Sequence, residues 1–145
     1  MGQNYSEADV AYLAGFLDAD GAIMAFIERH HGKLYGYRVR VNIKISQKNR
    51  LILDSFLNKY SFGSIRNNRG VFEWEIRDQV QICNLLNNIS PYLQVKKIQA
   101  QLAMWIIEIS INCKFDLYFK AMLADSLSEL NVRSPNRRRH FWNEI

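Results

Sequence analysis

Two cysteines and two prolines in 145 residues leave this fold to be held by its core alone. Cys83 and Cys113 show neither a CxxC pair nor disulfide-rich spacing, and both fall among apolar neighbours on predicted helices. They are expected as buried, reduced thiols in a reducing intracellular compartment. A zinc site is equally unsupported, since His30 and His31 stand alone and adjacent residues at a strand end point opposite ways. No apolar run reaches the roughly 18 to 20 residues that a spanning helix needs, and no basic-then-apolar leader pattern opens the chain. The expectation is a soluble protein with no membrane partner. No segment is repeated, so the chain holds one copy of each element.

Disorder is also excluded, because 48% of the residues are apolar and 12% aromatic, enough for a sizeable core in a single domain spanning 1–145. What is abundant is positive charge. A formal net charge of +5 and a pI near 9.3 point to a polyanionic partner.

Ser6 before acidic Glu7 and Asp9 is a helix N-cap, and Val10, Leu13, Ala14, Phe16 and Leu17 continue at helical spacing to about Ala19. A strand runs over 22–28, then a turn around His31-Gly32-Lys33. The clearest strand comes next, where Val39, Val41, Ile43 and Ile45 alternate with Arg38, Arg40, Asn42 and Lys44. Leu53, Phe56, Leu57 and Tyr60 mark a short helix, and Asn67-Asn68-Arg69-Gly70 joins strands at 62–66 and 72–77. The second of these should bury Phe72, Trp74 and Ile76 and expose Glu73, Glu75 and Arg77. Helical periodicity returns over 79–89, 97–111 and 115–130. The order of helix, two strands, helix, two strands and helices predicts an α+β domain with a four-stranded antiparallel sheet. Its core spans about 7–110, with a further helix and basic tail over 115–145.

The basic strand carries its own functional reading. Arg38, Arg40, Asn42 and Lys44 at period two share one sheet face, a self-repelling arrangement unless a polyanion lies against it. Neighbouring strands add Met24, Phe26, Glu28 and His30, then Ser64, Arg66 and Asn68, then Glu73, Glu75 and Arg77. Pure phosphate binding needs only cations, whereas amide, acidic and apolar positions beside arginine suit readout of base edges in a DNA major groove. The tail Arg137-Arg138-Arg139-His140 is either a loose phosphate contact or a basic end of no fixed structure.

One further feature breaks a local rule. Asp18 and Asp20 fall in the last turn of the first helix, where unpaired carbonyls already carry negative charge and an anion is disfavoured without a compensating cation. A hard divalent cation held by carboxylate oxygen is the obvious compensation. The segment Leu13-Ala14-Gly15-Phe16-Leu17-Asp18-Ala19-Asp20-Gly21 closely resembles the signature of the LAGLIDADG homing endonucleases, departing from it only in Phe16 and Leu17, both apolar.

The resemblance covers the core and implies the αββαββα fold of that family. It implies a homodimer, because a single motif supplies one half-site, with signature helices from two subunits packed through small residues such as Ala11, Ala14 and Gly15. In the family the last acidic residue of each helix binds metal, so Asp20 is the expected ligand for Mg2+, with Mn2+ as a substitute. The backbone around Gly21, with Ala19 beside it, belongs to the same site. Asp18 is expected to bond or cap at the dimer interface. The resemblance also points to Gln47 as a water-positioning residue and to a lysine at the start of a later helix as a phosphate contact. Lys97 is preferred and Lys96 left open.

The activity implied by the resemblance is sequence-specific double-strand cleavage of DNA at a long, nearly palindromic site, leaving short 3′ overhangs. The gene would lie in an intron or intein, in a prokaryotic cytoplasm, a chloroplast or a mitochondrion. Two rivals share the fold: a maturase that binds host intron RNA, and a catalytically inactive DNA-binding regulator. Retention of Asp18 and Asp20 favours the nuclease over a maturase alone and leaves room for both activities, while the degraded acidic positions or added helix-turn-helix that signal the inactive regulator are not seen.

Overall fold

The computed structural model describes residues 5–131, so the basic tail 137–140 lies outside the described residues. Ser6 caps α1 (Glu7–Asp20) as the sequence predicts, its hydroxyl accepting the Asp9 N–H at 3.1 Å. Val10, Leu13, Ala14 and Leu17 form the buried stripe, which packs against the sheet and α3 (Gln79–Ile89). At the end of α1 the chain turns directly into β1 (Gly21–Arg29). Gly21 is extended at φ −102°, so its role there is space and not left-handed geometry. A Cβ at this position would collide with Leu17 Cδ1 and sit 2.8 Å from the Leu17 carbonyl oxygen.

β1 pairs antiparallel with β2 (Tyr37–Gln47), in the register Gly21 opposite Ile45 through Arg29 opposite Tyr37. Helix α2 (Arg50–Tyr60) leads to the hairpin of β3 (Ser64–Asn68) and β4 (Val71–Ile76). Its two-residue turn puts Arg69 at φ 54° and Gly70 at φ 84°, the doubly left-handed geometry that matches strand twist. The sheet order is β1-β2-β4-β3, and the expected α+β domain with a four-stranded antiparallel sheet is what the chain forms. Where β4 ends, the side chain of Gln79 takes over its pairing role. Its Oε1 accepts from Val41 N at 2.9 Å and its Nε2 donates to the Val41 carbonyl at 2.8 Å.

Gln79 also opens α3, after which come a short 3-10 turn, Ser90–Tyr92, and the helices α4 (Lys97–Glu108) and α5 (Lys114–Asn131). One sheet face is the core: Ile23, Val41, Ile43, Ile45, Trp74 and Ile76 are buried beneath the helices. Burying an aliphatic side chain of this size contributes about 1.5 to 3 kcal/mol, so this layer dominates stability. Trp74 stacks on Phe56 with centroids 5.6 Å apart and donates Nε1–H to the Phe62 carbonyl at 3.0 Å.

Two expectations need correction. Helix α4 stops at Glu108 and not near 111, and the next turn places Cys113 on an exposed connection outside any helix. Cys83 is half-buried on α3, so neither thiol is a core residue, although burial and the neighbouring Glu108 carboxylate push the Cys83 thiol up. Among the described residues no helix is long and apolar enough to cross a membrane.

Candidate active site and polyanion-binding face

The last turn of α1 contains no basic residue, so its two carboxylates must find compensation from other elements. They find it unequally. Asp18 accepts the backbone N–H groups of Gln94 at 2.8 Å and Lys96 at 3.0 Å, while Lys96 Nζ donates to the Asp18 carbonyl at 2.8 Å. Asp18 therefore caps the start of α4 from another helix, where free amides and the helix dipole favour an anion.

Asp20 is exposed and, among the described residues, its carboxylate accepts one bond, from Gln47 Nε2 at 2.6 Å. The amide is neutral, so among the described residues the Asp20 carboxylate has no ion-pair partner. The pairing of Gly21 with Ile45 brings about this meeting, because it lays the end of β2 beside the end of α1. The side-chain oxygens of Gln47 and Asp20 are hard donors of the type Mg2+ takes, and the carbonyls of the same helix end lie beside them. Among the described residues no group of three His, Cys, Asp or Glu could hold a metal.

Of the two lysines, the structure brings Lys96 against the end of α1, with only 8% of its surface exposed. Lys97, preferred from sequence, is exposed on the first turn of α4. The small-residue reading of α1 also changes in part. Ala14 is 0% exposed and belongs to the subunit core, so it is unavailable to a partner. Gly15 is exposed with nothing within 4 Å of a Cβ built on it, and Ala11 is half-buried. Ala11, Gly15 and Asp18 line one side of a groove whose other side is formed by Tyr92 and Val95.

The second face of the sheet presents the residues expected there, but in a different electrostatic state. Registers place Glu28 opposite Arg38, Phe26 opposite Arg40 and Met24 opposite Asn42. They also place Lys44 opposite Glu75, Arg66 opposite Glu73 and Ser64 opposite Glu75. Glu73 and Glu75 are each 6% exposed, which corrects the expectation that they face water. Lys44 Nζ lies 3.0 Å from Glu73 and 3.9 Å from Glu75, and Arg66 lies 3.5 Å and Arg77 2.6 Å from Glu75. Arg40 Nε sits 3.2 Å from Glu28, its guanidinium carbon 5.0 Å above the Phe26 ring, and the same guanidinium donates to Asn42, itself buried. Arg38 reaches Glu28 only at 4.0 Å.

The face is consequently not a bare, self-repelling row. Its cations Arg38, Arg40, Lys44, Arg66 and Arg77 outnumber the carboxylates Glu28, Glu73 and Glu75, which hold them in place and leave a net positive surface. Burial would raise the Glu73 carboxyl, but hydrogen bonds from Lys44 and Asn68 and the charges of Lys44 and Arg66 outweigh it and hold it below the usual range. His30 lies beyond β1 in the turn, where its Nδ1 accepts from Gly32 N at 3.2 Å. Sequence reasoning passes over Arg50, whose guanidinium sits 5.6 Å over Phe72, the residue opposite Gln47. Its position three residues beyond Gln47 is the signal that could have found it.

Comparison with known proteins bears on this geometry. Residues 13–109 match the family model described as LAGLIDADG endonuclease. The chain is 34% identical over 131 residues to DNA endonuclease I-CvuI of Chlorella vulgaris, across 87% of this chain and 81% of that protein. It is 29% identical over 110 residues to DNA endonuclease I-CreI of Chlamydomonas reinhardtii, across 74% of this chain and 68% of the relative. The solved structure of homing endonuclease I-CvuI with the I-CreI target, in the presence of 2 mM Mg and with DNA not cleaved, superposes with a TM-score of 0.83. That match is 32% identical and covers 94% of this chain and 90% of the other.

Proposed function

The chain belongs to the LAGLIDADG endonuclease family, and we propose that it is a sequence-specific DNA homing endonuclease whose catalytic centre is completed by a second copy of itself. The observation that carries this reading is the contrast between the two helix-end carboxylates. Asp18 is spent on the Gln94 and Lys96 amides, while Asp20 is exposed and bonded to a neutral side-chain amide. Two signature helices meeting about a two-fold axis would bring two copies of Asp20 together.

Mg2+, when bound, supplies Lewis-acid stabilisation of charge on phosphodiester oxygens and a more acidic water. The residues present fit it, since Asp20 and the adjacent carbonyls are oxygen donors. Gln47 orients the Asp20 carboxylate through Nε2 and keeps Oε1 as an acceptor for water. Lys96, held against the Asp18 carbonyl, places a positive charge at the same helix end, where it offsets phosphate charge. The polar sheet face would lie along the major groove of one half-site. There its arginines and Lys44 exchange their carboxylate partners for bases and phosphates.

We also infer a reducing compartment, a reading supported by two free cysteines. Incubating the purified chain and Mg2+ with a randomised duplex library, then sequencing the cut ends, tests the activity. Recovery of a single two-fold-related sequence with 3′ overhangs is the expected result. Binding without any cut ends, in Mg2+ or Mn2+, would overturn the nuclease reading and leave a DNA-binding or RNA-binding role.

A further inference from the structure

A cavity of about 390 Å³ opens between the β1–β2 turn, the start of β2, the α4–α5 connection and α5. Its charged lining consists of Lys33, Arg38 and Lys120, and Tyr35 and Tyr37 stand beside them. Lys120 is the unusual member. It is only 8% exposed, and among the described residues it has no ion-pair or hydrogen-bond partner. Burial pushes its ammonium below the usual lysine range, and the charges of Lys33 and Arg38 push it the same way.

A largely buried lysine that opens only on this cavity and faces two further cations is costly, and a methionine in that place on α5 would pack without that cost. Among the described residues the nearest carboxylate to Arg38 is that of Glu28 at 4.0 Å, on the sheet face and already engaged by Arg40 at 3.2 Å. No carboxylate of the described residues lines the cavity, so an anion entering it would complete the arrangement. Lysine and arginine donors converging from three segments suit a group with several acceptor oxygens, and tyrosine hydroxyls add neutral donors.

We infer that this cavity is a phosphate site, which receives either a backbone phosphodiester of bound DNA or a free phosphate. Arg38 links it to the polar sheet face, so the site would extend that face at the outer end of the β1–β2 hairpin. Only the DNA source rests on the endonuclease reading. The case for an anion stands on the cavity itself.

Lys120→Met keeps the stem's volume and removes the charge. Two measurements on the full chain decide the matter. In the first, the thermal midpoint is tracked as inorganic phosphate replaces chloride at constant ionic strength. In the second, affinity for a duplex of mixed sequence is measured as a function of salt. A midpoint that rises with phosphate in the wild type and not in Lys120→Met establishes a free phosphate ligand. An unchanged midpoint, with about threefold to tenfold weaker duplex binding and a salt slope smaller by about one, assigns the site to the DNA backbone. If neither measurement separates variant from wild type, the inference is overturned. Should Lys120→Met fail to fold, Lys33→Ala, on an exposed turn, carries the same two readouts. A wild-type chain that binds no duplex at all sinks the endonuclease reading while the phosphate titration still decides the cavity.

Discussion

Asp18 and Lys96, separated by 78 residues, hold each other from both ends: the Asp18 carboxylate accepts the Lys96 backbone N–H at 3.0 Å, and Lys96 Nζ donates to the Asp18 carbonyl at 2.8 Å. The pair fastens the end of α1 to the start of α4 and satisfies amides that α4 cannot satisfy for itself. Asp18→Ala should cost about 0.5 to 2 kcal/mol, the range for a lost N-cap, and should lower cutting because the Lys96 backbone N–H loses its acceptor and the start of α4 loosens, although Lys96 Nζ keeps its bond to the backbone carbonyl of residue 18. Urea denaturation and cleavage assays on the same preparation check this. Unchanged stability would show that the cap contributes nothing.

Asp20 has the opposite profile. Its side chain is exposed and, among the described residues, bonded to Gln47 alone, so Asp20→Asn should leave the denaturation midpoint nearly unchanged. Cutting should disappear while DNA affinity stays within about tenfold, since the lost charge acts on the transition state more than on groove contacts. A variant that cuts at the wild-type rate in Mg2+ would remove Asp20 from the chemistry.

The contrast between these two aspartates shows what the chain discloses on its own. Periodicity locates the strands and helices, because the alternation from Arg38 to Ile45 and the stripe from Val10 to Leu17 depend on neighbours close in sequence. The end of α4 and the setting of Cys113 escape it, since apolar Ile109 and Ile111 continue a helical pattern that the backbone leaves at Glu108. The partners of Asp18, the burial of Glu73 and Glu75, and the cavity around Lys120 are not legible either. Each depends on elements brought together by the sheet's register and the packing of α4 and α5, and no local pattern encodes that. Ala14 misleads for a related reason: a small residue on a helix suits a core and an interface equally, and only the packed structure separates them.

Gly15 separates folding from assembly. Nothing lies within 4 Å of a Cβ at this position, so a single subunit should accept Gly15→Leu and gain up to about 1 kcal/mol in helix propensity. A second helix packed on the same face would be pushed away. The variant should be a more stable monomer that no longer cuts, as read by light scattering, thermal denaturation and cleavage. A dimer of undiminished activity would mean that the subunits meet elsewhere.

Glu73 ties the sheet face to pH. Its carboxyl is held below the usual range, because hydrogen bonds and charge from Lys44, Asn68 and Arg66 exceed the opposing effect of burial. A group with a depressed folded pKa contributes stability that is present above its unfolded value, here 4.5, and is lost as pH falls through the folded value. Acid should therefore weaken the fold below that point. Asp9, bonded to Lys59 and Ser6, and Asp116, bonded to the Asn112 and Cys113 amides, are lowered too and contribute in the same direction. Glu73→Gln should flatten part of the acid slope and cost stability at neutral pH, while freeing Lys44 to bind phosphate more strongly and with less sequence preference. Denaturation curves across the acid range, with duplex binding at two salt concentrations, read both effects. An acid slope identical to that of the wild type would show that the Lys44–Glu73 pair does not order this face.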